Sequence, residues 1–187
     1  DMGITTYLKP IETGFGQSNG EDGLGDDPEL ADNILQRVAL YCKTLAVPAP
    51  RDITDNNVRR GAKIFEQLDC AKCHIPKMQT GSSSISVLAN QTIFPYSDML
   101  LHDMGDDLAD NKTDFLASGN EWKTRPLWGI GLTNVVNNHT NFLHDGRAKN
   151  ITEAILWHGG EAQNSKNKFK QLSTKDRNDL LKFINSL

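Results

Sequence analysis

The chain has 187 residues with 20 basic and 24 acidic side chains, and its formal net charge is −4. This charge excludes a broadly basic surface of the kind that binds nucleic acid or anionic membranes, and no apolar run approaches the roughly 18 residues that span a bilayer. Hydrophobic residues make up 37% and aromatic residues 7%, which suggests that a bound cofactor replaces part of the core. The length predicts one domain, or one domain with an extension.

The first third of the chain changes once, from a polar, glycine-rich composition to a helical pattern. Residues 11–27 contain five glycines and five carboxylates and predict an exposed loop. Asp27 and Pro28 then predict the N-cap and first position of a helix that ends before Pro48. Cys42 lies on this helix and is interpreted as a small buried hydrophobic side chain. The predicted apolar face of the helix consists of Leu30, Ile34, Val38, Tyr41 and Leu45.

A second helix is predicted from about Asp55 to Leu68, with Thr54 or Asp55 as its cap. Residues 79–97 are polar and rich in turn formers, and residues 97–108 form a short mixed segment. We find no convincing strand and no internal repeat.

Two helices are predicted near the carboxyl end of the chain. The first covers residues 151–157, and the second runs from Ser173 to Leu187 with Ser173 and Asp176 as a variant of the capping box. Gly61 on the second helix of the chain would let the last helix approach closely, and Phe65 would fill the contact. The predicted partners on the last helix are Leu180, Leu181 and Phe183.

The most specific motif is Cys70-Ala71-Lys72-Cys73-His74. Two cysteines three positions apart followed by histidine are typical of c-type haem attachment. The two thiols lie on one helical turn and can each add to a haem vinyl group, while the histidine binds the iron as its proximal ligand. The motif therefore predicts one covalently bound haem c.

Two other interpretations of the cysteines remain open at the level of sequence. A Cys2His2 zinc site could combine Cys70 and Cys73 with His139 and His144. A thioredoxin-like redox pair would require a βαβ context, which the surrounding sequence does not provide.

Four further motifs resemble one protein family. They are PYSDMLLHDMG at 95–105, WKT with PLWG at 122–129, FLHDGRA at 142–148 and EAILWHGGEA at 153–162. Together they are similar to the di-haem oxidoreductases, often labelled thiol oxidoreductases, which are relatives of the bacterial di-haem cytochrome c peroxidases. The resemblance covers nearly the whole chain.

The resemblance implies a mainly α fold with a cytochrome c-like haem domain at residues 51–187, long loops and an amino-terminal extension. Residues 1–50 resemble the end of a preceding haem domain with a linker helix. The family carries two haems whereas this chain has a single C-x-x-C-H, so we expect the second haem on an amino-terminal domain or on another chain. The resemblance also allows a calcium ion.

Cellular location and partners follow from the same expectations. Bacteria attach haem c outside the cytoplasmic membrane, so we expect a periplasmic or otherwise extracytoplasmic protein. The chain starts at Asp1 without a signal peptide, and we therefore expect it to be processed or cut from something longer. The expected partners are the other haem domain and a redox donor protein, with no nucleic acid and no membrane span.

The sixth ligand of the iron decides whether the haem is closed or can bind peroxide. The candidates in the sequence are His102, Met104, His139, His144 and His158. The related peroxidases have a methionine ligand fourteen residues after the histidine of their His-Asp-Gly motif, and the same count from His144 reaches His158. We favour His158, with Met104 as the alternative.

The other candidate residues have simpler interpretations. His102 and His144 each precede an aspartate and suit hydrogen-bonded turns, while His139 is predicted to lie at the surface. Arg125 and Arg147 are candidates for binding the haem propionates, because a guanidinium pairs a carboxylate at two points. The tryptophans predicted to line the haem pocket are Trp122, Trp128 and Trp157.

Two functions are compatible with these motifs. The first is an electron-transfer domain of a peroxidase-like di-haem oxidoreductase, in which a His/His-ligated haem relays electrons to a second haem outside this chain. The alternative is a stand-alone cytochrome c that carries electrons and catalyses nothing. The substrate is not indicated by any residue.

Overall fold

The computed structural model describes residues 4–10, 28–114 and 116–187. The predicted loop at 11–27 lies outside the described residues. The chain divides into two compact units, Asp1–Ala46 and Val47–Leu187. Helices predominate among the described elements, so the mainly α class predicted from the sequence is confirmed. None of the described helices combines the length and the apolar character needed to cross a membrane.

The first unit contains helix α1, Asp32–Thr44, which begins later than predicted. Its N-cap position is Ala31, which makes no side-chain capping bond. Glu29 does not lie in the first helical turn, because its carboxylate accepts a 2.8 Å bond from the Thr5 N–H while its own N–H donates to the Thr5 hydroxyl at 3.0 Å. This long-range pairing holds residues 28–30 in a bend outside the helix.

The prediction that Cys42 is buried is wrong. Cys42 is exposed, and α1 contains no buried residue. The predicted apolar face is also exposed at Ile34, Val38, Tyr41 and Leu45, with 48%, 49%, 65% and 53% exposure. Leu30 is half-buried and precedes α1.

The second unit is built around helices α2, Asn56–Gln67, and α6, Thr174–Ser186. The predicted caps of both helices are confirmed. The Asp55 carboxylate accepts from the N–H groups of Asn57 and Val58, and the Ser173 hydroxyl accepts from that of Asp176. Each cap satisfies backbone donors that the first helical turn leaves unpaired.

Helices α2 and α6 cross at Gly61, as the sequence predicts. A Cβ atom at this position would overlap the carbonyl oxygen of Asp179 and lie 2.6 Å from the Cβ of Phe183. One turn further along, the rings of Phe65 and Phe183 pack with their centroids 5.5 Å apart. Tyr96 completes the aromatic group at 6.1 Å from Phe65 and 5.8 Å from Phe183. The hydrophobic core of the unit therefore lies at this crossing.

Three shorter helices complete the second unit: α3, Thr133–Asn137; α4, Ile151–Trp157; and α5, Gln163–Lys170. The bounds of α4 agree with the prediction, whereas α3 and α5 were not predicted.

The second unit also contains short strands that the sequence did not predict. Strand β1, Met78–Gln79, pairs with β2, Thr92–Ile93, and β3, Leu101–Asp103, pairs with β4, Glu121–Lys123. Both pairs are antiparallel, and His102 lies opposite Trp122. Strands of two or three residues are too short to show the alternating pattern by which a strand is recognised in sequence.

Candidate haem-binding site

The C-x-x-C-H motif begins where α2 ends. Asp69 adopts a left-handed conformation with φ of 65° and separates the helix from a single 3-10 turn at Cys70–Lys72. The Asp69 carboxylate is held by Lys168 on α5 at 2.5 Å and by Lys72 at 3.2 Å. Helix α5 therefore anchors the turn that carries the cysteines.

Cys70 and Cys73 are free thiols. Burial raises the pKa of Cys70 to about 12 and also raises the pKa of Cys73. Both thiols are therefore protonated at neutral pH, which does not suit a thioredoxin-like redox pair because such chemistry requires a thiolate.

The zinc interpretation also fails on geometry. Among the described residues, the one group of three metal-binding side chains is Cys73, Asp98 and His102. It includes neither Cys70 nor the two histidines that a Cys2His2 site would need.

His74 is half-buried, and the loss of hydration around its ring lowers its pKa to about 4, so the ring is neutral. Its Nδ1 atom lies 2.9 Å from the carbonyl oxygen of Tyr96. A carbonyl oxygen only accepts hydrogen bonds, so Nδ1 carries the proton and Nε2 keeps its lone pair. This is the arrangement that metal-binding histidines use, with one nitrogen fixed by a carbonyl and the other free for the metal.

His158 shows the same arrangement on another element. It follows the last turn of α4, and its Nδ1 atom lies 2.7 Å from the carbonyl oxygen of Ala154. Burial lowers its pKa, so this ring is neutral too and presents a free Nε2. Sequence reasoning placed both residues in the haem site, but it did not identify the two carbonyl groups that set their tautomers.

The two rings have the separation expected for ligands of one metal ion. Two imidazoles bound on opposite sides of an ion at about 2 Å have ring centres roughly 6.4 Å apart. The ring centroids of His74 and His158 are 6.5 Å apart. The donor set and its spacing therefore fit a haem iron between His74 and His158.

Met104 lies beside the segment that follows His158. Its N–H donates to the carbonyl of Asn120, and its own carbonyl oxygen lies 2.7 Å from the position of a Cβ built on Gly159. The fold thus brings both predicted sixth ligands to the same region, with the Met104 side chain half-buried.

His102 is not available as an iron ligand, because both of its ring nitrogens are in use. Nε2 lies 2.8 Å from a carboxylate oxygen of Asp98 and Nδ1 lies 2.9 Å from one of Glu161. The ring also lies 3.8 Å from the sulfur of Cys73. The bond to Glu161 is the largest cause of a raised pKa at His102, and the bond to Asp98 acts in the same direction.

The two remaining histidines lie in different surroundings. His144 stacks on Trp122 with ring centroids 3.6 Å apart and an interplanar angle of 10°. His139 is exposed, as predicted, and its Nδ1 accepts from the N–H of Asn141.

The arginines and tryptophans predicted to surround the haem lie in different local environments. Arg125 is exposed. Arg147 binds the Asp145 carboxylate at 2.6 Å and lies over the ring of Trp157. Trp128 lines an apolar cleft of about 210 Å³ together with Tyr96, the residue whose carbonyl holds His74.

The sequence analysis did not identify Lys166 on α5 as a buried charged residue. It is 8% exposed, and it lies three positions before Phe169, which is 1% exposed. This spacing puts both side chains on one helix face. The spacing could have indicated burial, but α5 itself was not predicted.

Comparison with known proteins identifies the family of the chain. The model of the family described as "Di-haem oxidoreductase, putative peroxidase" matches residues 4–187. No curated protein and no solved structure matches the chain. Because the family match covers nearly the whole chain, the protein belongs to the di-haem oxidoreductase family.

Proposed function

We propose that this chain binds one haem c and relays electrons as a closed, six-coordinate haem domain of a peroxidase-like di-haem oxidoreductase. The observation that carries the proposal is the pair of half-buried, neutral histidines, His74 and His158, with ring centroids 6.5 Å apart. When bound, the haem supplies one-electron redox chemistry. Cys70 and Cys73 would attach the haem to the protein, and His74 and His158 would supply the ligands of its iron.

Cys70 and Cys73 are assigned to the thioether bonds, His74 to the proximal position and His158 to the sixth position. The carbonyls of Tyr96 and Ala154 hold the two rings in the tautomer that leaves Nε2 for iron. The crossing of α2 and α6 directly before the motif supports a cytochrome c-like arrangement of the second unit.

Two strong axial ligands leave no position for peroxide, so we assign catalysis to a second haem outside this chain. That haem, on an amino-terminal domain or a separate chain, is the proposed electron acceptor, and a redox protein is the proposed donor. The covalent attachment chemistry supports an extracytoplasmic location. Family membership favours this function over a stand-alone carrier.

The test is the spin state of the iron in the haem-loaded protein. We expect a low-spin oxidised spectrum without a methionine-to-iron charge-transfer band in the near infrared. His158→Ala should produce a high-spin iron that reacts with peroxide, because a coordination position opens. Met104→Ala is the matched variant and should stay low-spin.

The reverse result would transfer the sixth position to Met104. Covalent attachment is checked separately by acid-acetone extraction, in which the haem should stay with the protein. Extractable haem would contradict the assignment of Cys70 and Cys73.

A further inference from the structure

The side chain of Ser97 is completely buried, at 0% exposure. Its hydroxyl donates to the carbonyl of Thr124 at 2.7 Å and accepts from the N–H of Met99 at 2.9 Å. A serine hydroxyl carries one donor and two acceptor sites, so it can make both bonds at once. This one hydroxyl therefore ties the loop around Ser97 to a segment that lies 27 positions later.

Backbone bonds hold the same loop from two sides. The N–H of Ser97 donates at 3.1 Å to the carbonyl of Ile75, which directly follows the haem motif. The carbonyl of Pro95 accepts at 2.9 Å from the N–H of Leu127. Both neighbours of Tyr96 are therefore fixed to other parts of the second unit.

Tyr96, between them, adopts an unfavourable backbone conformation. Its φ is 52°, in the left-handed region that residues with a Cβ rarely occupy. Such a conformation persists only where the surrounding structure fixes it. In this conformation the Tyr96 carbonyl oxygen lies 2.9 Å from Nδ1 of His74. The bonds of Ser97 therefore help to hold the carbonyl that orients His74.

We propose that Ser97 is a positioning residue for the proximal iron ligand, because its hydroxyl holds Tyr96 in the conformation whose carbonyl accepts from the His74 ring. This inference rests on the proposed role of His74, but it does not depend on which residue takes the sixth position. A hydrogen bond from Nδ1 orients an imidazole and makes its Nε2 a stronger donor to the metal. A stronger axial donor stabilises the oxidised iron.

Replacing Ser97 with alanine removes the hydroxyl and adds no atoms, so crowding does not contribute. The Thr124 carbonyl and the Met99 N–H each lose a bond, and a buried polar group that is left unpaired is costly. We expect the loop to relax from the left-handed conformation at Tyr96. The bond between the Tyr96 carbonyl and His74 should weaken as a result.

The experiment uses the haem-loaded full chain with Ser97→Ala, Ser97→Thr and Ser186→Ala. Threonine keeps the hydroxyl. Ser186 is also buried, at 4% exposure, and its hydroxyl donates at 2.6 Å to the Phe183 carbonyl of its own helix. Ser186→Ala therefore removes a buried hydroxyl bond outside the loop. The readouts are the rate at which the His74 Nδ1 proton exchanges with deuterated solvent, measured by NMR, the midpoint potential and the urea midpoint.

We expect slow exchange of the His74 Nδ1 proton in the wild type. Ser97→Ala should accelerate this exchange by about tenfold, because a hydrogen bond is weakened. It should also raise the midpoint potential, because His74 becomes a weaker donor to the oxidised iron. Ser97→Thr should return both values toward the wild type. Ser186→Ala should lower the urea midpoint and leave the exchange rate and the potential unchanged.

Two results would overturn the role of Ser97. One is an exchange rate and a potential that stay at wild-type values in Ser97→Ala, or that shift equally in Ser186→Ala. The other is a His74 Nδ1 proton that already exchanges rapidly in the wild type, which needs no variant.

The outcomes also separate this inference from the proposed function. Extractable haem, or a native low-spin spectrum in His74→Ala, would overturn the haem assignment itself. Covalent haem with unchanged readouts in Ser97→Ala would overturn only the role of Ser97. A low-spin iron in His158→Ala together with a raised potential in Ser97→Ala would overturn only the sixth-ligand assignment.

Discussion

The crossing of α2 and α6 is tested by adding one methyl group, with Gly61→Ala. A Cβ at this position would overlap the Asp179 carbonyl oxygen and lie 2.6 Å from the Cβ of Phe183. Neither atom can rotate away, because one belongs to the backbone and the other is fixed directly to it. The two helices must therefore separate, which loosens the packing of Phe65 on Phe183.

Two opposing effects determine how much Gly61→Ala changes the free energy of unfolding. Overpacking a core by one group typically costs about 1–3 kcal/mol, and a contact with rigid backbone on both sides belongs at the upper end. Alanine is better than glycine in a helix interior by about 1 kcal/mol. We therefore expect Gly61→Ala to lower the free energy of unfolding by about 2 kcal/mol.

The assay is urea unfolding of the haem-loaded protein, followed by far-ultraviolet circular dichroism. With a denaturant slope of about 2 kcal/mol per molar, the midpoint should fall by about 1 M. Gly81→Ala is the matched control, since a Cβ there meets no atom within 4 Å, and its midpoint should not fall. A Gly61→Ala protein that unfolds at the wild-type midpoint would refute the close approach of the two helices.

Two further predictions concern a helix cap and a titrating contact. Ser173→Ala should lower the free energy of unfolding by about 1 kcal/mol, because the Asp176 N–H loses its acceptor, while the exposed Ser82→Ala should have no effect in the same urea assay. Glu161→Gln replaces with a neutral amide the carboxylate whose bond contributes most to the raised pKa of His102, and the bond with His102 in turn lowers the pKa of Glu161. The stabilisation from His102 is fully present below its unfolded pKa of about 6.5, and it is lost as pH rises through its raised folded pKa. The stabilisation from Glu161 is fully present above its unfolded pKa of about 4.3, and it is lost as pH falls through its lowered folded pKa. The difference in unfolding free energy between wild type and Glu161→Gln should therefore be largest between about pH 4.5 and 6.5, and a difference that stays constant up to pH 9 would contradict this assignment.

Features that depend on a few neighbouring residues could be predicted from the sequence. The caps at Asp55 and Ser173 bond backbone groups within three residues, so their effect is contained in the local pattern. The bounds of α4 were predictable for the same reason. The close approach at Gly61 joins distant residues, and it was predictable because a glycine on a helix face lets a second helix approach closely. The cysteine and histidine spacing of the haem motif is also local.

Other features depend on residues far apart in the chain, and tertiary structure decided them. The start of α1 is shifted because Glu29 pairs with Thr5, which lies 24 positions away. His102 is excluded as an iron ligand because Asp98 occupies its Nε2 atom and Glu161, 59 positions later, occupies its Nδ1 atom. The burial of Lys166 likewise depends on the packing of α5 against the rest of the unit. A sequence pattern specifies which groups can bond and along which helix face they lie, but only the folded chain determines which distant groups reach them.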